Sequence, residues 1–268
     1  MNPMLIDAHA HLDHYREYLD SALDEIERYG ILSLSTAMDI PGYEKACEIG
    51  RRCPYVIPCF GIHPWNAHKY ADRLDELAPH IQESPLLGEI GLDFHFVKET
   101  ARYPRQEKVL RHFLRSAQHQ KKCVNLHTKG AEREILDLLE EFRIPPFIVH
   151  WYSGPLELVE DYLQVGAFFT VGVAVLNSPH IVRLVHRLPK ERLLTETDNP
   201  GALQWQSRMM GMPSVLVQVI HKLAEIRKWS CEELIHQVGM NFLNLIGSDH
   251  DLYPRIRKLA RKGAGQLG

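Results

Sequence analysis

Read for apolar and polar positions, the chain alternates short apolar runs with stretches of helical periodicity. Leu5-Ile6-Asp7-Ala8-His9-Ala10-His11-Leu12-Asp13 opens it as a strand carrying two histidines two residues apart. Residues two apart point to one side of a strand, so both imidazoles can face one point. Residues 14–29 have helical spacing at Tyr18, Leu19, Ala22, Leu23 and Ile26. Further strands are predicted at 31–37, 55–64, 86–93, 123–127, 147–150, 167–171 and 193–198. Helices are predicted at 42–52, 71–83 (with Pro79 late in it), 104–121, 130–142, 156–165, 179–187, 214–227 and 230–246. Eight strands separated by helices predict a (β/α)8 barrel, whose usual length of ~250 residues fits a single domain over 1–247. A doubly wound open sheet is the competing α/β architecture. Residues 248–268 read as a solvated terminal helix, basic at Arg255, Arg257, Lys258, Arg261 and Lys262.

Composition narrows the classes. With 268 residues, 45% hydrophobic and 24% charged, the chain is ordinary globular material, and its net charge of −3 provides no general basic field for a polyanion. Cys47, Cys53, Cys59, Cys123 and Cys231 form no CxxC pair and read as reduced thiols of a cytoplasmic protein. The first residues have no secretory character, and no apolar run approaches the ~20 residues of a membrane span.

The chemistry gathers at strand ends. In a barrel, the carboxyl ends of all strands meet on one face, where active sites lie. His9, His11, Glu89, His127, His150 and Asp198 all fall at or near such ends. One histidine closing a strand is ordinarily a satisfied polar residue, but six metal-type side chains reaching one face by chance is a different matter. Imidazoles with carboxylates suit zinc, manganese, nickel or iron, with magnesium where carboxylate and water dominate. Six ligands exceed the three of a usual catalytic zinc, and two ions bridged by a carboxylate would use them all.

These residues stand in recognisable motifs: DAHAHLD, GIHPW at 61–65, GEIGLDF at 88–94, LHTKGA at 126–131, VHWYSG at 149–154, ETDNP at 196–200 and NFLNL at 241–245. From about residue 5 to 246 the chain resembles the TatD family of metal-dependent deoxyribonucleases, in the amidohydrolase superfamily. The resemblance implies two divalent ions (Zn, Mn, Mg or Ni), one held by His9, His11, Glu89 and Asp198. Glu89 would bridge to a second, held by His127 and His150. It further implies His63 and Lys129 toward a substrate phosphate, DNA as substrate, and Asp198 as general base for a metal-activated water. Glu196, two residues before Asp198 on the same strand face, reads either as standing behind the ligands or as packed in the barrel. A monomer is expected. Two departures bear on substrate: HWYSG stands where the family commonly reads HCFSG, and the loop at 207–213 offers only Arg208 as a polar anchor. The rival readings are hydrolysis of a small phosphoester, lactone or amide at the same site, and a non-catalytic barrel acting as a partner protein.

Overall fold

The computed structural model describes residues 4–203, 209–247 and 252–262, with side chains up to 259. Its strands are β1 (Leu5–Ala10), β2 (Ile31–Thr36), β3 (Val56–Cys59), β4 (Leu87–Asp93), β5 (Val124–Lys129), β6 (Phe147–Val149), β7 (Ala167–Val171) and β8 (Leu193–Thr195). Every paired strand is parallel to its neighbour, and the pairing follows chain order within two sheets, β1-β2-β3 and β4 through β8. Both seams between the sheets are bridged. Phe60 pairs with Leu87 across one. Across the other, the Asp198 N–H donates to the His9 carbonyl and the His11 N–H to the Asn199 carbonyl, each at 2.8 Å. The Thr197 N–H and hydroxyl also donate to the Asp7 carboxylate at 2.8 and 2.7 Å. No strand reverses the order, so the architecture is the (β/α)8 barrel and not a doubly wound sheet.

The helices that cover the barrel are α1 (Leu19–Tyr29), α2 (Ile40–Arg52), α3 (Ala67–Tyr70), α4 (Ala78–Glu83), α5 (Tyr103–Gln120), α6 (Glu132–Phe142), α7 (Val159–Gln164), α8 (Pro179–Arg187), α9 (Val215–Arg227), α10 (Cys231–Leu245) and α11 (Leu252–Lys262). The amphipathic pattern of α5 is realised directly, with Val109, Leu110, Phe113, Leu114 and Ala117 buried against the strands. Among the described residues no helix is long and apolar enough to cross a membrane.

Three local differences from expectation have physical causes. Leu12–His14 and Arg16–Tyr18 form 3-10 turns, with Arg16 at φ 49°, and the α-helix begins only at Leu19. The stretch 71–83 breaks into a 3-10 turn at Leu74–Leu77 and then α4, with Pro79 in its first turn. Proline has no N–H to give a preceding turn, so it opens that helix instead of sitting late in a longer one. The terminal segment does not project as a solvated helix. In α11, Leu252 and Ile256 are buried, and the Arg255 guanidinium donates to the Pro54 and Val56 carbonyls at the start of β3.

Candidate metal centre

The strands deliver the polar side chains to the barrel's carboxyl end through two irregular registers. The β1–β2 register shifts between Asp7 and Ala10, around His9, and the β4–β5 register shifts between Leu87 and Ile90, around Glu89. Two glycines permit the close approach this needs. A Cβ at Gly61 would lie 2.4 Å from the Glu89 carbonyl, and one at Gly91 would lie 1.9 Å from the His127 carbonyl. His11 stands one residue beyond β1, and Asp198 three beyond β8 in the left-handed region at φ 52°. Aspartate is among the residues that tolerate that conformation best.

Eight expected side chains meet here: His9, His11, His63, Glu89, Lys129, His127, His150 and Asp198. All except His9 line a cavity of about 620 Å³; His9 is fully buried beneath it. Arg208 lies outside the described residues. Around Glu89 Oε2, the His11 Nε2 stands at 3.4 Å and the His9 Nε2 at 3.5 Å. Asp198 Oδ1 lies 3.6 and 3.3 Å from the same two nitrogens, which are 3.4 Å apart. Donors 2.0–2.2 Å from one tetrahedral ion stand roughly 3.3–3.6 Å from each other, so the His9, His11 and Glu89 atoms have the spacing of a ligand shell, and Asp198 keeps that spacing to the two imidazoles. Glu89 Oε1 faces a different set: His127 Nδ1 at 2.8 Å, His150 Nε2 at 3.1 Å and His63 Nε2 at 3.4 Å.

The outer nitrogen of each ring separates ligands from donors. His9 Nδ1–H donates to Asn125 Oδ1 at 3.0 Å, while the Asn125 amide donates to the Ala8 carbonyl. His11 Nδ1–H donates to the Thr36 carbonyl at 2.8 Å, His127 Nε2–H to Asp93 Oδ2 at 3.0 Å, and His150 Nδ1–H to Glu196 Oε2 at 3.3 Å. With the proton outside, each inner nitrogen turns a lone pair toward carboxylate oxygens, an arrangement that only a cation or a further proton reconciles. His63 is the reverse case. Its Nδ1 accepts the Trp65 backbone N–H at 3.2 Å, which leaves the ring proton on Nε2. Although His63 Nε2 lies within 4.8 Å of ligand atoms of Glu89 and His127, that tautomer makes it a hydrogen-bond donor to the centre.

The electrostatics agree with a cation-binding cluster. Burial pulls the Glu89 carboxyl upward, but the His63, His150 and His9 rings beside it outweigh burial and hold it well below the usual range. Asp198 is likewise lowered, burial being overcome by the His11 hydrogen bond and the neighbouring imidazoles. Burial opposes protonation of His150, yet Glu89 and Glu196 raise it to about 10. His63, in contrast, is pushed down to about 4, chiefly by burial, and is neutral at ordinary pH.

Sequence reading missed most of the outer shell. Asp93 accepts from His127, from the Trp65 indole N–H at 2.7 Å, and from the backbone N–H groups of His95 and Phe96 at 2.9 and 2.6 Å. Asp93 and Asn125 stand four and two residues from Glu89 and His127 on the same strands, so period-two spacing from each ligand is the signal that could have found them. Glu196 does lie behind His150, where it also accepts from the Thr170 hydroxyl and the Trp151 N–H. Trp151 sits at φ 38° with its carbonyl accepting from Lys129 Nζ, which also donates to Ser153 Oγ at 2.9 Å.

Comparison with known proteins agrees with this geometry. The profile of the family described as TatD related DNase matches residues 6–247. A human protein named deoxyribonuclease TATDN3 is 26% identical over 96% of this chain and 97% of its own length. The metal-dependent hydrolase YcfH of Escherichia coli K12 is 27% identical over 94% of this chain and 99% of its own. The crystal structure of the TatD homologue YJJV from E. coli K12 superposes with a TM-score of 0.81 at 23% identity, covering 91% of this chain and 98% of that one.

Proposed function

Because the chain belongs to the TatD family of metal-dependent hydrolases, we propose that its site hydrolyses DNA phosphodiester bonds with two divalent ions joined by Glu89. The observation that carries this reading is the division of labour within Glu89, whose Oε2 faces His9 and His11 while Oε1 faces His127 and His150. His9, His11, Glu89 and Asp198 would hold one ion; Glu89, His127 and His150 would hold the other. Imidazole and carboxylate donors suit zinc, manganese or nickel, and magnesium less well. When bound, the ions supply Lewis acidity and lower the pKa of a water nucleophile.

The chain's own residues do the rest. Asp198 is the general base, because its carboxylate is both part of the cluster and, at 19% exposure, open to the cavity. It accepts the nucleophile's proton and passes it to the departing sugar oxygen. His63 Nε2–H, neutral and fixed by the Trp65 N–H, donates to a non-bridging phosphoryl oxygen as charge grows there. Lys129 stands on the same wall, its ammonium positioned by Trp151 and Ser153 to face the phosphate.

The test is cleavage of single-stranded DNA by chelator-stripped protein with each divalent metal restored. Cleavage should return with at least one metal, and Asp198→Asn should lower turnover by about 10²–10⁴ without unfolding the protein. Full activity in the variant, or cleavage indifferent to metal, contradicts the proposal. Hydrolysis of a small phosphoester but not DNA would transfer the same chemistry to a smaller substrate.

A further inference from the structure

The cavity above the cluster has one wall the metal chemistry does not use. Trp65 is 36% exposed and Phe96 47% exposed, and both line this cavity. Among the described residues the other large exposed apolar side chains, Tyr18, Tyr29, Leu176, Met209 and Met240, lie elsewhere. The two rings meet nearly at right angles, 6.0 Å between centroids, so they make a corner of one face and one edge. Trp65 is held rigid. Its indole N–H donates to Asp93, and its ring packs edge-on against His63 at 4.7 Å. Phe96 is anchored through its backbone N–H to the same carboxylate. Asp93 therefore holds the Trp65 ring, the Phe96 backbone and the His127 ring together.

We propose that Trp65 and Phe96 form a platform for the nucleobase beside the scissile phosphate, selecting substrates that carry a planar base next to the bond broken. This inference rests on the phosphodiester reading and adds to it the group that is recognised. Three observations support it. The platform adjoins His63, whose Nε2–H is assigned to the phosphoryl oxygen, so base and phosphate sites are neighbours. Among the described lining residues there is one lysine, Lys129, and no arginine, so few cationic side chains are present to hold a run of phosphates. The volume falls in the ~300–1,000 Å³ range of small-ligand sites, which suits a nucleotide end and not the width of a duplex.

Calorimetry of the metal-loaded protein with thymidine 5′-monophosphate and with deoxyribose 5-phosphate isolates the base. The nucleotide should bind about tenfold tighter than the sugar phosphate, the order of one base–aromatic stack. That gap should shrink toward one in Trp65→Leu and in Phe96→Leu. Trp65→Phe, which keeps a ring but loses the Asp93 bond, should retain most of it. Equal affinity for the two ligands in the wild type overturns the platform. So does an equal loss for both ligands in the leucine variants, which would make Trp65 a mere support for Asp93. Base-dependent binding without DNA cleavage would leave the platform standing and remove the phosphodiester reading. Cleavage that treats abasic and base-bearing ends alike would do the opposite.

Discussion

Behind each inward imidazole nitrogen of the cluster stands an outer one, and its partner decides what the ring can do. Asn125, the Thr36 carbonyl, Asp93 and Glu196 accept hydrogen bonds from the outer ring N–H groups of His9, His11, His127 and His150, while the Trp65 backbone N–H donates to His63. Such partners set ring orientation and ligand basicity, and their loss commonly costs 10–100-fold in metal affinity. Asp93→Ala should therefore weaken one ion by about that factor and leave the ion at His9 and His11 in place, as read by titration against a competing chelator. An equal effect on both ions, or none, would show that His127 is not a ligand. The residues that meet in the cluster were legible in the sequence because histidines and carboxylates at strand ends are conspicuous. Apart from Glu196 their partners were not, because Thr36 contributes only a backbone carbonyl and Asn125 looks like any polar residue inside a strand.

At the level of elements, the apolar runs were legible because parallel strands buried on both faces read as nearly continuous hydrophobic stretches. The ends of strands were not: His63 and Asp198 were read inside strands that stop at Cys59 and Thr195. The ladder gives way there to hydrogen bonds across the seams, which pattern alone cannot show. The glycines near the centre are requirements of this geometry. Gly91 has φ 155° and faces the His127 carbonyl, so Gly91→Ala should destabilise the fold by at least ~3 kcal/mol in denaturant unfolding. The β1–β8 seam carries a pH dependence of its own. Burial raises the Asp7 carboxyl to about 7, against 3.8 when unperturbed, and the opposing Thr197 hydrogen bonds do not cancel it. Its contribution to stability is complete below the unfolded pKa and is lost as pH rises through about 7. In chelator, wild type should lose on the order of 2–3 kcal/mol relative to Asp7→Asn between pH 5 and pH 8. A pH-independent difference would mean that Asp7 keeps its charge within the folded seam.

For the whole molecule, eight strands in chain order bring residues from positions 9 to 198 to one floor, so the site exists only when the barrel is complete. Cations that bind this floor and not the unfolded chain must stabilise the entire fold, by about 2.7 kcal/mol at a free concentration 100 times Kd. The order of motifs made the barrel legible, but the placement of α11 under β3 was hidden. Its basic residues suggested a solvated tail, whereas Leu252, Arg255 and Ile256 are what engage the barrel. If one glutamate joins two ion sites, native mass spectrometry of metal-loaded protein should show it. Wild type should carry two divalent ions per chain, and Glu89→Ala should lose both at concentrations that saturate wild type. A wild type that saturates at one ion, with Glu89→Ala still holding it, would contradict the account.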